Sequence, residues 1–173
     1  MKNKIKIAVV GIGLMGNQHL KAIKISKKAK LHSIVDINKK SIFLAKKFNV
    51  PFYRSTNELL KNQKPDAVIV ATPNHFHEKH TIRFLNEKIP VLLEKPISDN
   101  ILKAKKIIQS SKKNKTKLLI GYHRRHNNIV LKVKKKIESG SLGKIVAANV
   151  MCWLYKNKQW YKEKWRVKKG GGP

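Results

Sequence analysis

At 173 residues the chain can form one domain with a sizeable core, or one domain and part of a second. Its 41% hydrophobic content excludes a disordered polymer, and no apolar run approaches the roughly 20 residues of a membrane span. The formal net charge of +31 rests almost wholly on lysine, all but five of the 40 basic residues being Lys, spread along the whole chain. Nucleic-acid recognition draws on clustered arginine forks and stacking aromatics, which are absent, so the expectation is a solvated lysine surface with no specific nucleic acid and no membrane as partner. Cys152 is the single cysteine, so no internal disulfide can form, and a reducing cytoplasm is the expected location.

Strand-like and helix-like stretches alternate in chain order. Residues 4–10 read as a buried strand ending at a glycine turn, and a helix is expected from Gly16 to about Lys27 with Leu20 and Ile23 inward. A second strand covers 31–36, a short helix 41–48 and a brief third strand 51–53. A helix follows over 56–60, with Ser55 or Thr56 as cap. Residues 67–71, Ala-Val-Ile-Val-Ala, are the clearest buried strand and Pro73 stops it. A helix is expected over 77–87, a strand over 91–93, a helix capped by Asp99 or Asn100 running to about Lys113, and a sixth strand over 118–122. This alternation predicts an α/β fold, a doubly wound and mostly parallel sheet of Rossmann type. After Tyr122 the pattern changes to an amphipathic helix over 129–138, a Gly-Ser turn at 139–143 and a longer strand over 144–153. A domain boundary is therefore placed between a nucleotide-binding unit, 1–122, and the start of a second α/β unit, 123–173.

Gly11-Ile12-Gly13-Leu14-Met15-Gly16 is a G-x-G-x-x-G loop that follows the first strand and opens the first helix. Glycine first makes the tight turn, then lets the backbone approach a pyrophosphate, then lets helix and strand pack closely. Backbone N–H groups and the helix dipole favour the anion there. Asp36, ending the second strand 20 positions on (36 − 16), has the spacing of a carboxylate that hydrogen-bonds an adenosine ribose and repels a 2′-phosphate. NAD is thus the expected cofactor. Lys39 and Lys40 could neutralise a 2′-phosphate, which leaves NADP open.

The run Ala71-Thr72-Pro73-Asn74-His75-Phe76-His77, followed by Glu94-Lys95-Pro96, resembles the Gfo/Idh/MocA oxidoreductases. His19, the 65–70 segment, Gly121-Tyr122-His123-Arg124-Arg125, Gly140-Ser141-Leu142-Gly143 and Trp165-Arg166 match in order. The resemblance implies an NAD(P)-binding Rossmann domain and a second α/β domain for substrate and oligomer contacts. It also implies reversible hydride transfer between nicotinamide and a carbinol carbon of a sugar, inositol or polyol. It makes Lys95 the active-site lysine and places Glu94 at the nicotinamide ribose or behind the lysine, with a cis bond before Pro96. Ala71, Thr72, Pro73, Asn74 and His77 run beside the cofactor, as does Arg124, while Trp165 and Arg166 approach the substrate. His75 and His80 have no such match and are expected to be exposed, and no metal site is expected. Trp153 and Trp160 are read as ordinary core or interface aromatics.

Relatives of this type continue past Gly170-Gly171-Gly172 into a segment with an aspartate and a histidine about four residues apart, that histidine taking the substrate's proton. This chain ends at Pro173. It is therefore expected to hold dinucleotide but turn over little substrate, and its 144–153 strand and tryptophans to expose apolar surface for want of partners. The alternatives are a non-catalytic dinucleotide-binding module and a basic nucleic-acid binder.

Overall fold

The computed structural model describes residues 3–162 and Val167. Six parallel strands form one sheet in the order β3-β2-β1-β4-β5-β6, where β1 is Ile5–Val10, β2 Ala29–Val35, β3 Phe52–Tyr53, β4 Ala67–Val70, β5 Val91–Leu93 and β6 Leu118–Ile120. The order reverses direction between β1 and β4, and a ligand crevice opens at such a switch point beyond the strands' carboxyl ends.

Successive side chains of a strand face opposite sides, so Ala8 and Val10 enter one core and Val9 the other. On one face Val9, Ile34 and Ile69 pack with Leu20 and Ile23 of α1 (Leu14–Ile25) and Ala45 of α2 (Ile42–Phe48). On the other, Val10, Val68 and Val70 pack with Leu59 of α3 (Thr56–Asn62), Phe84 and Leu85 of α4 (His77–Asn86), and Ile107 of α5 (Ile101–Lys113). Burying both faces explains the near-continuous apolar runs of β1 and β4.

Local chemistry sets the helix boundaries. Ser55 Oγ accepts from the Glu58 N–H (3.1 Å), and Glu58 Oε2 accepts from the Arg54 N–H (2.8 Å), a reciprocal arrangement that opens α3. Asn100 rather than Asp99 caps α5, its Oδ1 accepting from the Lys103 N–H at 2.9 Å. Asn49, left-handed at φ 52°, ends α2. α1 begins at Leu14, two residues before its expected start, because Gly13 already serves as its N-cap.

After a 3-10 turn at His123–His126, α6 (Asn128–Glu138) forms as expected but stays open: Ile129, Val133 and Ile137, four residues apart on one face, are 72%, 51% and 49% exposed. The strand expected over 144–153 does not form. A strand's backbone groups need a neighbouring strand, and none lies alongside this segment among the described residues. Trp153 is accordingly 89% exposed rather than in a core. A short α7 (Lys158–Tyr161) follows, with Lys156 Nζ over the half-buried Trp160 ring at 4.0 Å.

Candidate functional site

The first residue beyond each of five strands continues the sheet's hydrogen bonding by one step. Gly11 N–H donates to Val35 O (2.8 Å), Asp36 N–H to Tyr53 O (3.0 Å) and Ala71 N–H to Val10 O (2.8 Å). Glu94 N–H donates to Val70 O (2.9 Å) and Gly121 N–H to Leu93 O (2.7 Å). The motifs, scattered over more than a hundred residues of sequence, thus share one edge of the sheet, each with its backbone anchored.

The three loop glycines meet three different demands. Gly11 has φ +88°, and a Cβ there would lie 2.8 Å from Ala71 O and 2.9 Å from Thr72 Cγ2. A Cβ on Gly16 would collide with the Gly11 carbonyl oxygen, so α1 packs onto β1 only without one. Gly13 faces open space, with nothing within 4 Å of where its Cβ would be. It caps α1 without a side-chain hydrogen bond, and no acidic residue occupies the first turn. The free N–H groups of that turn and the positive end of the helix dipole therefore face open space. These residues fit a dinucleotide pyrophosphate.

Asp36 locks the loop. Its Oδ2 accepts from the Ile12 N–H (2.6 Å) and its Oδ1 from the Asn38 N–H (2.7 Å). A carboxylate has about four acceptor sites, so both oxygens can still take ribose hydroxyls. Lys39 and Lys40 stand exposed in the 3-10 turn that follows.

Across the switch point, Thr72 Oγ1 is buried without a hydrogen-bond partner among the described residues. Asn74 begins a 3-10 turn that leads into α4. His77, 1% exposed, joins two loops: its Nε2 is 2.8 Å from Thr72 O and its Nδ1 is 2.8 Å from Pro96 O. Burial lowers its pKa below the usual histidine value, against the pull of the Thr72, Pro96 and Ile97 carbonyls and the Glu94 charge. His80, expected at the surface, is instead half-buried, its Nδ1 enclosed without a partner. It faces the same core side of α4 as Thr81, Phe84 and His77, and burial, with the charges of Lys79 and His77, lowers its pKa to about 4.

At the end of β5, Glu94 is 5% exposed. Its Oε1 is 2.8 Å from His19 Nε2, and its Oε2 accepts weakly from the Lys95 N–H at 3.3 Å. Burial is the strongest influence and pushes its pKa up, but the His19 hydrogen bond and charge, the Lys95 N–H and the His123 charge together bring it below the usual glutamate value. The Lys95 side chain is exposed at this edge, and the Lys95–Pro96 peptide is cis. His19 matched the family pattern in sequence but was assigned no role at the site; its position three residues after Gly16, beside the buried Gly16, Leu20 and Ile23 stripe, was the available signal. Arg124 is exposed in its 3-10 turn, its Nη1 3.9 Å from Cys152 Sγ. Trp165 and Arg166 lie outside the described residues.

A family model described as an oxidoreductase family with an NAD-binding Rossmann fold, Gfo/Idh/MocA, matches residues 5–122. The chain belongs to this family. As a Gfo/Idh/MocA member it carries an NAD-binding Rossmann domain. Similar proteins include a myo-inositol 2-dehydrogenase of Thermotoga maritima, 30% identical over 81% of this chain and 42% of the relative. A glucose-6-phosphate 3-dehydrogenase of Bacillus subtilis is 27% identical over 84% of this chain and 41% of the relative. Among solved structures, a scyllo-inositol dehydrogenase of Lactobacillus casei with bound NAD(H) and scyllo-inositol superposes with a TM-score of 0.78 at 26% identity, over 82% of this chain and 43% of that one. The WlbA dehydrogenase of Bordetella pertussis shares the fold over 98% of this chain and 53% of that one, with a TM-score of 0.89 at 24% identity. The chain thus spans about four tenths of the length of its curated relatives, 42% and 41% for the two above.

Proposed function

We propose that these residues form the dinucleotide-binding part of an NAD-dependent dehydrogenase that moves a hydride from a carbinol carbon of a sugar, inositol or related polyol. The carrying observation is the open approach to the uncapped start of α1 at Gly13, on a loop whose Ile12 N–H is tied to Asp36. The pyrophosphate sits against that helix start and the adenosine ribose against Asp36, whose charge disfavours the 2′-phosphate of NADP. Ala71, Thr72, Pro73 and Asn74 border the middle of the cofactor, and His77 fixes their loop from behind. Bound NAD supplies the hydride acceptor. The Lys95 ammonium donates to the substrate hydroxyl oxygen and stabilises negative charge there as the carbon–hydrogen bond breaks. Arg124 is assigned to the cofactor side and Trp165 and Arg166 to the substrate side on the strength of the family motifs.

Chemistry also needs a proton acceptor. None of Asp36, Asp66 and Asp99 has a histidine four positions on, so the D-x-x-x-H pair of the family is not among the 173 residues. We therefore expect these residues to bind NADH with little turnover, since an absent general base costs roughly 10²- to 10⁴-fold in rate. The domain division at residue 122 and a role of the later residues in substrate binding and subunit contacts belong to the same reading.

Titration of the chain with NADH, followed by calorimetry and by nicotinamide fluorescence, tests it. Saturable binding that is lost in Gly13→Val is the expected result. A wild-type chain that binds neither NADH nor NADPH refutes the proposal.

A further inference from the structure

Three elements converge on the Glu94 carboxylate. α1 brings His19, whose Nε2 lies 2.8 Å from Oε1. β5 ends in Glu94 itself, and the next backbone N–H, that of Lys95, reaches Oε2 at 3.3 Å. The end of β6 offers Gly121, where a Cβ would lie 3.0 Å from Oε1, 3.1 Å from Cδ and 3.3 Å from Oε2. Glycine at 121 therefore leaves the room that the carboxylate occupies.

We propose that His19 is a positioning residue, holding Glu94 from α1 so that the carboxylate, and the Lys95 backbone beside it, face the nicotinamide ribose of bound NAD. This deepens the cofactor reading above and rests on it. Side-chain exposures of 18% for His19 and 7% for Glu94 take the pair largely out of water. A buried carboxylate is costly without a donor, and His19 is the side-chain donor that meets it. The depressed pKa of Glu94 has the direction that a retained charge requires. The arrangement also has a mechanical consequence. His19 is six residues beyond Gly13 on one rigid helix, about 9 Å along its axis at about 1.5 Å per residue. The helix that receives the pyrophosphate thereby also sets the group at the reacting end.

Position on the cofactor makes the proposal testable without turnover. ADP contains the adenosine and the diphosphate but lacks the nicotinamide ribose. Affinities for NADH and ADP are to be measured on the chain, on His19→Leu, on His19→Gln, on Glu94→Gln and on the double variant His19→Leu/Glu94→Gln. His19→Leu and Glu94→Gln are each expected to weaken NADH about ten-fold and ADP less than about two-fold. His19→Gln, which retains a donor, is expected to recover most of the loss. The double variant should bind NADH no more weakly than the worse single one, since both remove the same interaction. NADH affinity unchanged in His19→Leu overturns the proposal. So does a parallel loss of ADP and NADH in both His19 variants, which marks a packing role for α1. A wild-type chain that binds neither ligand overturns the cofactor reading, and this proposal with it.

Discussion

The loop glycines are separable one residue at a time because their surroundings differ. At Gly13 an added Cβ meets no protein atom and projects only into the open space before α1, so Gly13→Val should leave the melting temperature nearly unchanged while abolishing NADH binding. At Gly16 the first added carbon strikes the Gly11 carbonyl, so Gly16→Ala should cost about 1–3 kcal/mol of stability, read by urea unfolding. Equal stability losses at the two positions would contradict the geometry. Asp36 carries two duties, a charge toward the ribose and a tie to Ile12 and Asn38. Asp36→Ala is therefore expected to weaken NADH and to narrow the NADH-over-NADPH preference, about ten-fold in the ratio of the two affinities. Its spacing from the glycine loop was legible in sequence. The tie to Ile12 was not, because it depends on how closely β1 and β2 lie together.

At the scale of elements, α4 carries two of the histidines whose pKa values burial lowers, His77 and His80. For His80 the folded value is about 4, against about 6.5 for an ordinary histidine. As pH falls below the ordinary value the unfolded chain takes up a proton that the folded chain refuses, so stability is lost. The contribution is complete above about pH 6.5 and declines progressively toward pH 4. His77 acts in the same direction. His80→Gln, which does not titrate, should flatten the fall in urea midpoint between pH 7 and pH 4, and an unchanged slope would count against the burial argument. α5 offers a plainer test: Asn100→Ala should cost about 1 kcal/mol through its lost cap. Asp99 and Asn100 were equal candidates from sequence, and only backbone dihedrals and the direction of the Asn100 side chain separate them. The 3-10 turn at Asn74–Phe76 had no periodic signal, being shorter than one α-helical repeat.

For the whole molecule, two features stand outside the nucleotide site. The charge of +31 acts collectively and without sequence preference, so the chain should hold duplex DNA weakly. That affinity should fall steeply between about 50 and about 200 mM salt, and equally in Gly13→Val, as followed by anisotropy of a labelled duplex. Any loss in that variant would join the two activities. The second feature is the apolar stripe of α6 with the segment over 145–157, where Val146, Val150 and Tyr155 are about nine-tenths exposed. No strand or helix covers residues 145–157, so their amides should exchange with deuterium far faster than those of β1 and β4.

What the sequence determined by itself is whatever local spacing encodes. Short apolar runs and period-3.6 apolar patterns set six strands and the main helices, and glycine and acid spacings marked the nucleotide loop. Proline and polar caps placed most boundaries within a few residues. Tertiary structure decided what depends on neighbours remote in the chain. It brought His19 to Glu94 across 75 positions, seated His77 between two loops, and turned His80 inward. It also denied the 144–153 stretch a strand, although its residues favour one, because a strand exists only where another backbone accepts its hydrogen bonds.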